Sequence, residues 1–244
     1  MTVRHVPGIA AVLLCAAIIA GFCWVQDYYH ATDEARAALQ SDSAVIVERT
    51  SYGWFFDGPA SGAALIFDPG AKVEETAYAP FLHLLAAQGL DVCLVKMPAR
   101  LALLGRSRAA RVRALHSCSD WYIGGHSLGG AMAASYAARH APQFKGLVLC
   151  AAYPAAALDA DMKLVVLYGS EDTVLNMENF AKGMCHAPAG TMQHVIAGGN
   201  HAQFGDYGVQ HGDGKPLLPA RSQQEEACRF IMASLFSERR TENP

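Results

Sequence analysis

The chain is short of charge. Asp, Glu, Lys and Arg make up 17% of its 244 residues, where an ordinary soluble domain carries about a quarter. The formal net charge is −3, from 19 basic and 22 acidic side chains. That balance offers no basic field to hold a phosphate backbone, so nucleic acid is not an expected partner. The seven cysteines (Cys15, Cys23, Cys93, Cys118, Cys150, Cys185 and Cys228) are scattered, and no two are spaced C-x-x-C. This excludes a disulfide framework and zinc-ligand spacing. Neither a metal nor an organic cofactor is implied. Cys93 and Cys150 lie in apolar, strand-like runs, where a buried thiol is the default. No internal repeat is present, and nothing marks a second domain.

What the sequence has in excess is apolar residues, 52% of the chain. Part of that excess is N-terminal. Arg4 and His5 precede an uncharged run from Val6 to Val25, and Asp27, Asp33 and Glu34 follow it. Twenty residues make about 30 Å of helix, the thickness of a bilayer core. Residues 1–27 are therefore expected to be a transmembrane anchor. The positive flank would stay cytoplasmic, so the rest would be exported to the periplasmic or extracellular side. The alternative is a signal peptide, cleaved to release a secreted protein. Against it, the run ends in Phe22-Cys23-Trp24-Val25, without the small residues a cleavage site needs.

Residues 28–43 read as a linker helix, 44–238 as one α/β domain and 239–244 as a tail. Val45–Arg49 and Gly53–Phe56 read as an antiparallel edge pair. The runs beginning at Leu65 and Trp121 read as buried strands, and those beginning at Val92, Leu147, Leu164 and His194 as further strands. They alternate with helices over Glu75–Gln88, Leu101–His116, Ser127–His140, Asn176–Cys185 and Ser222–Phe236. That alternation predicts a doubly wound, mostly parallel sheet. Arg100, Arg106, Arg108, Arg111 and Arg113 crowd one segment, which fits a solvated helix face.

Gly125-His126-Ser127-Leu128-Gly129 fits G-x-S-x-G, preceded by a short apolar strand and followed by a run of helix formers. In that context the motif suits a nucleophile elbow, a sharp strand-to-helix turn that raises a serine hydroxyl above the sheet. Such a serine needs a base, and the base an orienting acid. Two later strands run into suitable loops, Gly169-Ser170-Glu171-Asp172-Thr173-Val174 and Gly198-Gly199-Asn200-His201. The order serine, acid, histidine is that of an α/β-hydrolase. Glu171 is a rival for the acid. His126, beside the serine, should point away from its hydroxyl and be structural.

With Asp68-Pro69-Gly70-Ala71-Lys72-Val73 and the run from Gly199 to Gly208 added, the chain resembles the small bacterial α/β-hydrolase family 5, which is dienelactone-hydrolase-like. The resemblance covers roughly 41–236. It implies Ser127 as nucleophile, Asp172 as acid and His201 as base. Dienelactone hydrolases proper carry cysteine at the nucleophile position; serine here favours a general esterase acting on a small-molecule ester. The oxyanion of acyl transfer needs two N–H donors. Leu128, after the serine, and Ala71, in the loop after the first buried strand, are the candidates. Gly70, Tyr153 and Phe204 are expected to meet substrate. Only Ala152–Met162 separates the two strands between which lipases of this fold insert a cap, so an open cleft is expected. An acyltransferase using the same acyl-enzyme, or a membrane-anchored binding scaffold without turnover, are the alternative functions.

Overall fold

A computed structural model describes residues 6–59, 62–105 and 107–236. The expected tail at 239–244 and Arg106 lie outside them. The elements are α1 (Val6–Gln26), α2 (Asp33–Ala37), β1 (Ile46–Arg49), β2 (Gly53–Asp57), β3 (Ala63–Asp68), α3 (Ala79–Ala87), β4 (Asp91–Val95), α4 (Arg108–Leu115), β5 (Asp120–His126), α5 (Leu128–Arg139), β6 (Gly146–Cys150), β7 (Lys163–Gly169), α6 (Met177–Met184), β8 (Met192–Ile196) and α7 (Ala220–Phe236). The strands form one sheet of order β1-β2-β4-β3-β5-β6-β7-β8. β1 and β2 are antiparallel, and every pairing from β4 to β8 is parallel. The expected edge pair and doubly wound sheet are both present.

The central strands are apolar throughout because both faces are covered. On β3, Leu65 and Phe67 join a core beneath α3 and α7, while Ala64 and Ile66 join the core beneath α4, α5 and α6. This is the period of two that a pleated strand imposes. Cys93 and Cys150 are both fully buried, as expected of structural thiols.

Two expected helices are shorter than the sequence suggests. Of 28–43 only Asp33–Ala37 is helical, capped by the Thr32 side chain. Tyr28–His30 is extended instead, because Tyr29 N–H donates to Lys72 C=O (2.7 Å) and Tyr29 C=O accepts from Glu74 N–H (2.9 Å). Before α4, Ala99 and Arg100 sit at φ 48° and 57°, which ends one 3₁₀ turn and delays the helix to Arg108.

Helix α1 is present, but the transmembrane span expected there is not borne out. Among the described residues no helix is long and apolar enough to cross a membrane. The side chains of α1 are described only over 10–26, about 25 Å of helix. Its apolar side chains from Val12 to Trp24 are exposed rather than packed into the domain. Its C-terminus does touch the domain. Lys72 Nζ bonds to Trp24 C=O and lies 4.2 Å over the Trp24 ring. Arg100 reaches Val25 C=O at 3.4 Å and stacks 3.2 Å from the Tyr28 ring. Cations are favoured at this end of a helix.

Candidate active site

The parallel strands all end on one side of the sheet, and the loops leaving them assemble the site. Four of these loops carry non-glycine residues at positive φ: Lys72 (60°) after β3, Ala99 and Arg100 after β4, Ser127 (53°) after β5 and Ala151 (49°) after β6. Such conformations cost about 1–2 kcal/mol per residue, and they concentrate where function needs them.

Ser127 is the residue between β5 and α5, with ψ −124°. The glycines around it are there for steric reasons. A Cβ on Gly125 would fall 2.4 Å from Asp68 C=O. One on Gly129 would fall 2.2 Å from the same oxygen and 2.4 Å from Pro69 C=O. Both would push the loop after β3 away from the turn. Leu128 begins α5, so its N–H has no intrahelical partner. Ala71 N–H has none with hydrogen-bond geometry among the described residues. Ser127, Leu128 and Ala71 are all half-buried.

The Asp172 and His201 side chains, 1% and 2% exposed, meet at 2.8 Å between Oδ2 and Nδ1. The other Asp172 oxygen accepts from Val174 N–H (2.9 Å) and Leu175 N–H (2.8 Å). One oxygen thus fixes the carboxylate to its own turn, and the other faces the imidazole. Glu171 is turned elsewhere and accepts from the Ser170 hydroxyl (2.9 Å). The His201 loop is held by residues that the sequence did not single out for this role. Asp213 accepts from His201 N–H (3.3 Å) and Ala202 N–H (2.8 Å). The buried amide of Gln223 pairs with both main-chain groups of Asn200. Neither lies in a motif; each is a polar side chain in a loop or on a helix, legible only in three dimensions.

His126 is fully buried, with its ring 4.5 Å from that of His201. Gly70 N–H donates to Tyr78 Oη (3.0 Å), which lies 2.8 Å from His126 Nδ1. Burial, then the proximity of His201, hold the His126 pKa well below 6.5. The ring is therefore neutral: the phenol donates to Nδ1, and the ring proton sits on Nε2. That atom faces the main chain of His201 without reaching hydrogen-bond geometry. His126 is structural, as expected. Tyr78→Phe would leave Gly70 N–H and His126 Nδ1 buried and unpaired. It should cost about 1–3 kcal/mol for each group, read as a lower midpoint in urea unfolding at unchanged slope.

The same geometry sets a pH dependence. Below pH 6.5 the unfolded chain protonates His126 and the folded chain does not, so stability falls on acidification. This one site contributes up to about 1.4 kcal/mol per pH unit. The Asp68 carboxyl, pushed up to about 8 by burial against the pull of Arg108, works in the opposite sense. Comparison with His126→Asn isolates the histidine. The variant should lose less melting temperature than the parent between pH 7.5 and 5.5, and equal losses would count against a buried neutral imidazole.

Three expected substrate contacts sit differently. A Cβ on Gly70 would fall 2.8 Å from both His126 Nδ1 and Tyr78 Oη; the glycine is needed for packing beneath the loop. Phe204 is fully buried, 5.7 Å from the His126 ring, and so lines no open cleft. Tyr153 is half-buried against Gly183 and Phe180 of α6. No helix or strand lies between β6 and β7, so no cap of that kind covers Ser127. Among the described residues no His, Cys, Asp and Glu cluster could hold a metal.

Residues 64–225, well over half the chain, match the model of the alpha/beta hydrolase family. The chain belongs to that family. Three solved structures place the hydrolase among its neighbours by fold. Carboxylesterase CesB of Bacillus subtilis has TM-score 0.54 and 11% identity, over 89% of this chain and 98% of its own. Est1E of Butyrivibrio proteoclasticus has TM-score 0.55 and 13% identity, over 79% and 99%. A bacterial membrane phospholipase A has TM-score 0.61 and 13% identity, over 97% and 99%. No curated protein matches this hydrolase in sequence.

Proposed function

We propose that this hydrolase cleaves carboxylic esters through an acyl-enzyme on Ser127. The observation that carries the reading is the buried Asp172–His201 pair at 2.8 Å, on the end of the sheet where Ser127 occupies a strained strand-to-helix turn. His201 takes the serine proton as Oγ attacks the ester carbonyl. Leu128 and Ala71 N–H groups receive the oxyanion, and Asp172 keeps the imidazole in the tautomer that accepts at Nε2. His201 then protonates the departing alcohol, and water, activated by the same imidazole, releases the acid. The carboxylesterase and phospholipase among the fold's neighbours agree with ester chemistry.

The reading extends to location. We place the catalytic domain on the exported side, either associated with a lipid bilayer through the exposed apolar side chains of α1 or released as a secreted protein. The activity is tested with a fluorophosphonate probe and p-nitrophenyl acetate. Labelling at Ser127 together with acetate release is expected. An unlabelled serine in folded protein overturns the mechanism.

A further inference from the structure

We propose that the end of the sheet carrying Ser127 is a bilayer-docking face, and that the substrate is an ester-bearing amphiphile drawn from that bilayer. The inference rests on the ester-hydrolase reading. It begins with where the apolar surface lies. Outside α1, nine large apolar side chains are exposed among the described residues. Six of them occupy loops or first turns that leave the carboxyl ends of strands: Leu103 and Leu104 after β4, Val174 and Met177 after β7, Val209 and Leu217 after β8. Val209 and Leu217 are 91% and 75% exposed. Because β3 to β8 are parallel, these positions share one end of the molecule, and β5 with Ser127 lies between them in the sheet. The remaining three, Ile46, Leu115 and Val195, are scattered. Clustered exposed apolar groups mark an interaction surface where scattered ones do not.

The occupant follows from what adjoins this face. Helix α1 is uncharged along its length, and its C-terminus is fixed to the loops after β3 and β4 by Lys72 and Arg100. The apolar helix therefore leaves the domain from the same end as the patch. At the junction stand Trp24, Tyr28 and Tyr29 beside the two cations. An aromatic belt with Lys and Arg is the composition of a segment at headgroup depth. A domain seated this way presses its catalytic end to the lipid. The absence of a cap between β6 and β7 then fits: a lipid substrate needs none, since its chains stay in the bilayer while the ester reaches Ser127.

The full-length protein is compared as parent, as Leu104→Glu/Val209→Glu and as Leu115→Glu, the last placing the same charge at the end of α4, away from the patch. Turnover is measured on p-nitrophenyl palmitate in vesicles of phosphatidylcholine and phosphatidylglycerol, and on p-nitrophenyl acetate in water, with melting temperatures as fold controls. The double variant should lose about tenfold or more on the vesicle ester, and stay within about twofold on acetate. Leu115→Glu should change neither. Equal losses on both esters, an unaltered vesicle rate, or the same loss in Leu115→Glu would each overturn the docking face. So would a parent dimer that the double variant dissolves without change on vesicles, since a second copy would then cover the patch. Failure of the parent on acetate, with no label on Ser127, would instead refute the esterase reading itself.

Discussion

Ser127→Ala is expected to lower acetate turnover by about 10⁴- to 10⁶-fold, what remains coming from the oxyanion donors and substrate binding alone. Folding should be unaffected, because the hydroxyl makes no hydrogen bond that the core depends on and alanine at φ 53° bears the same strain as serine. The informative partner is Ser127→Gly. It also removes the nucleophile, but glycine occupies positive φ without penalty, so it should gain about 1–2 kcal/mol. For a domain of this size each kcal/mol is about 2–4 °C in melting temperature. An inactive but more stable glycine variant would show that the turn is strained for the sake of the serine. A Ser127→Ala protein with more than a tenth of parental turnover would remove the serine from the mechanism. A loss of circular dichroism that tracks the loss of activity would count against a purely catalytic role.

Asp172→Asn should reduce kcat by about 10⁴ with little change in KM. The carboxylate divides its duties: Oδ1 accepts from Val174 and Leu175, and Oδ2 faces His201 Nδ1. An asparagine that keeps its oxygen on the two amides must present its NH₂ group to the imidazole. His201 then keeps its proton on Nε2 and cannot receive one from Ser127. Glu171→Gln, altering a side chain held by Ser170, should leave kcat within about twofold. Single-turnover and steady-state rates on p-nitrophenyl acetate decide between them, and the larger loss in Glu171→Gln would reverse the assignment.

The alternation of apolar strands and helices, and the steric demand of G-x-S-x-G, belong to local periodicity, so the sheet and the elbow were readable from the chain. The offset from Gly169 to Asp172 and the late Gly-Gly-Asn-His turn were readable in the same way. What escaped was set by contacts distant in sequence. Tyr28 to His30 looks helical because nothing local reveals that Lys72 and Glu74 will claim the main chain of Tyr29. Phe204 looks like a pocket residue until His126 is found packed on it. Gly70 reads as a close approach to substrate; the approach is to an imidazole and a phenol beneath it. Asp213 and Gln223 steady His201 from positions that carry no pattern.

The junction between α1 and the domain leaves almost no free chain. The helix ends at Gln26, and Tyr29 is already bonded to Lys72. Only Asp27 and Tyr28 lie between, a reach of about 10 Å from Gln26 to Tyr29 when extended. A domain on so short a leash cannot swing out to meet a partner in solution or on a facing surface. Were α1 held in lipid as proposed, the domain would travel in two dimensions at a fixed height and orientation and meet only molecules of its own leaflet. Its working concentration of substrate would then be a surface density, set by the composition of that membrane rather than by what the surrounding fluid contains.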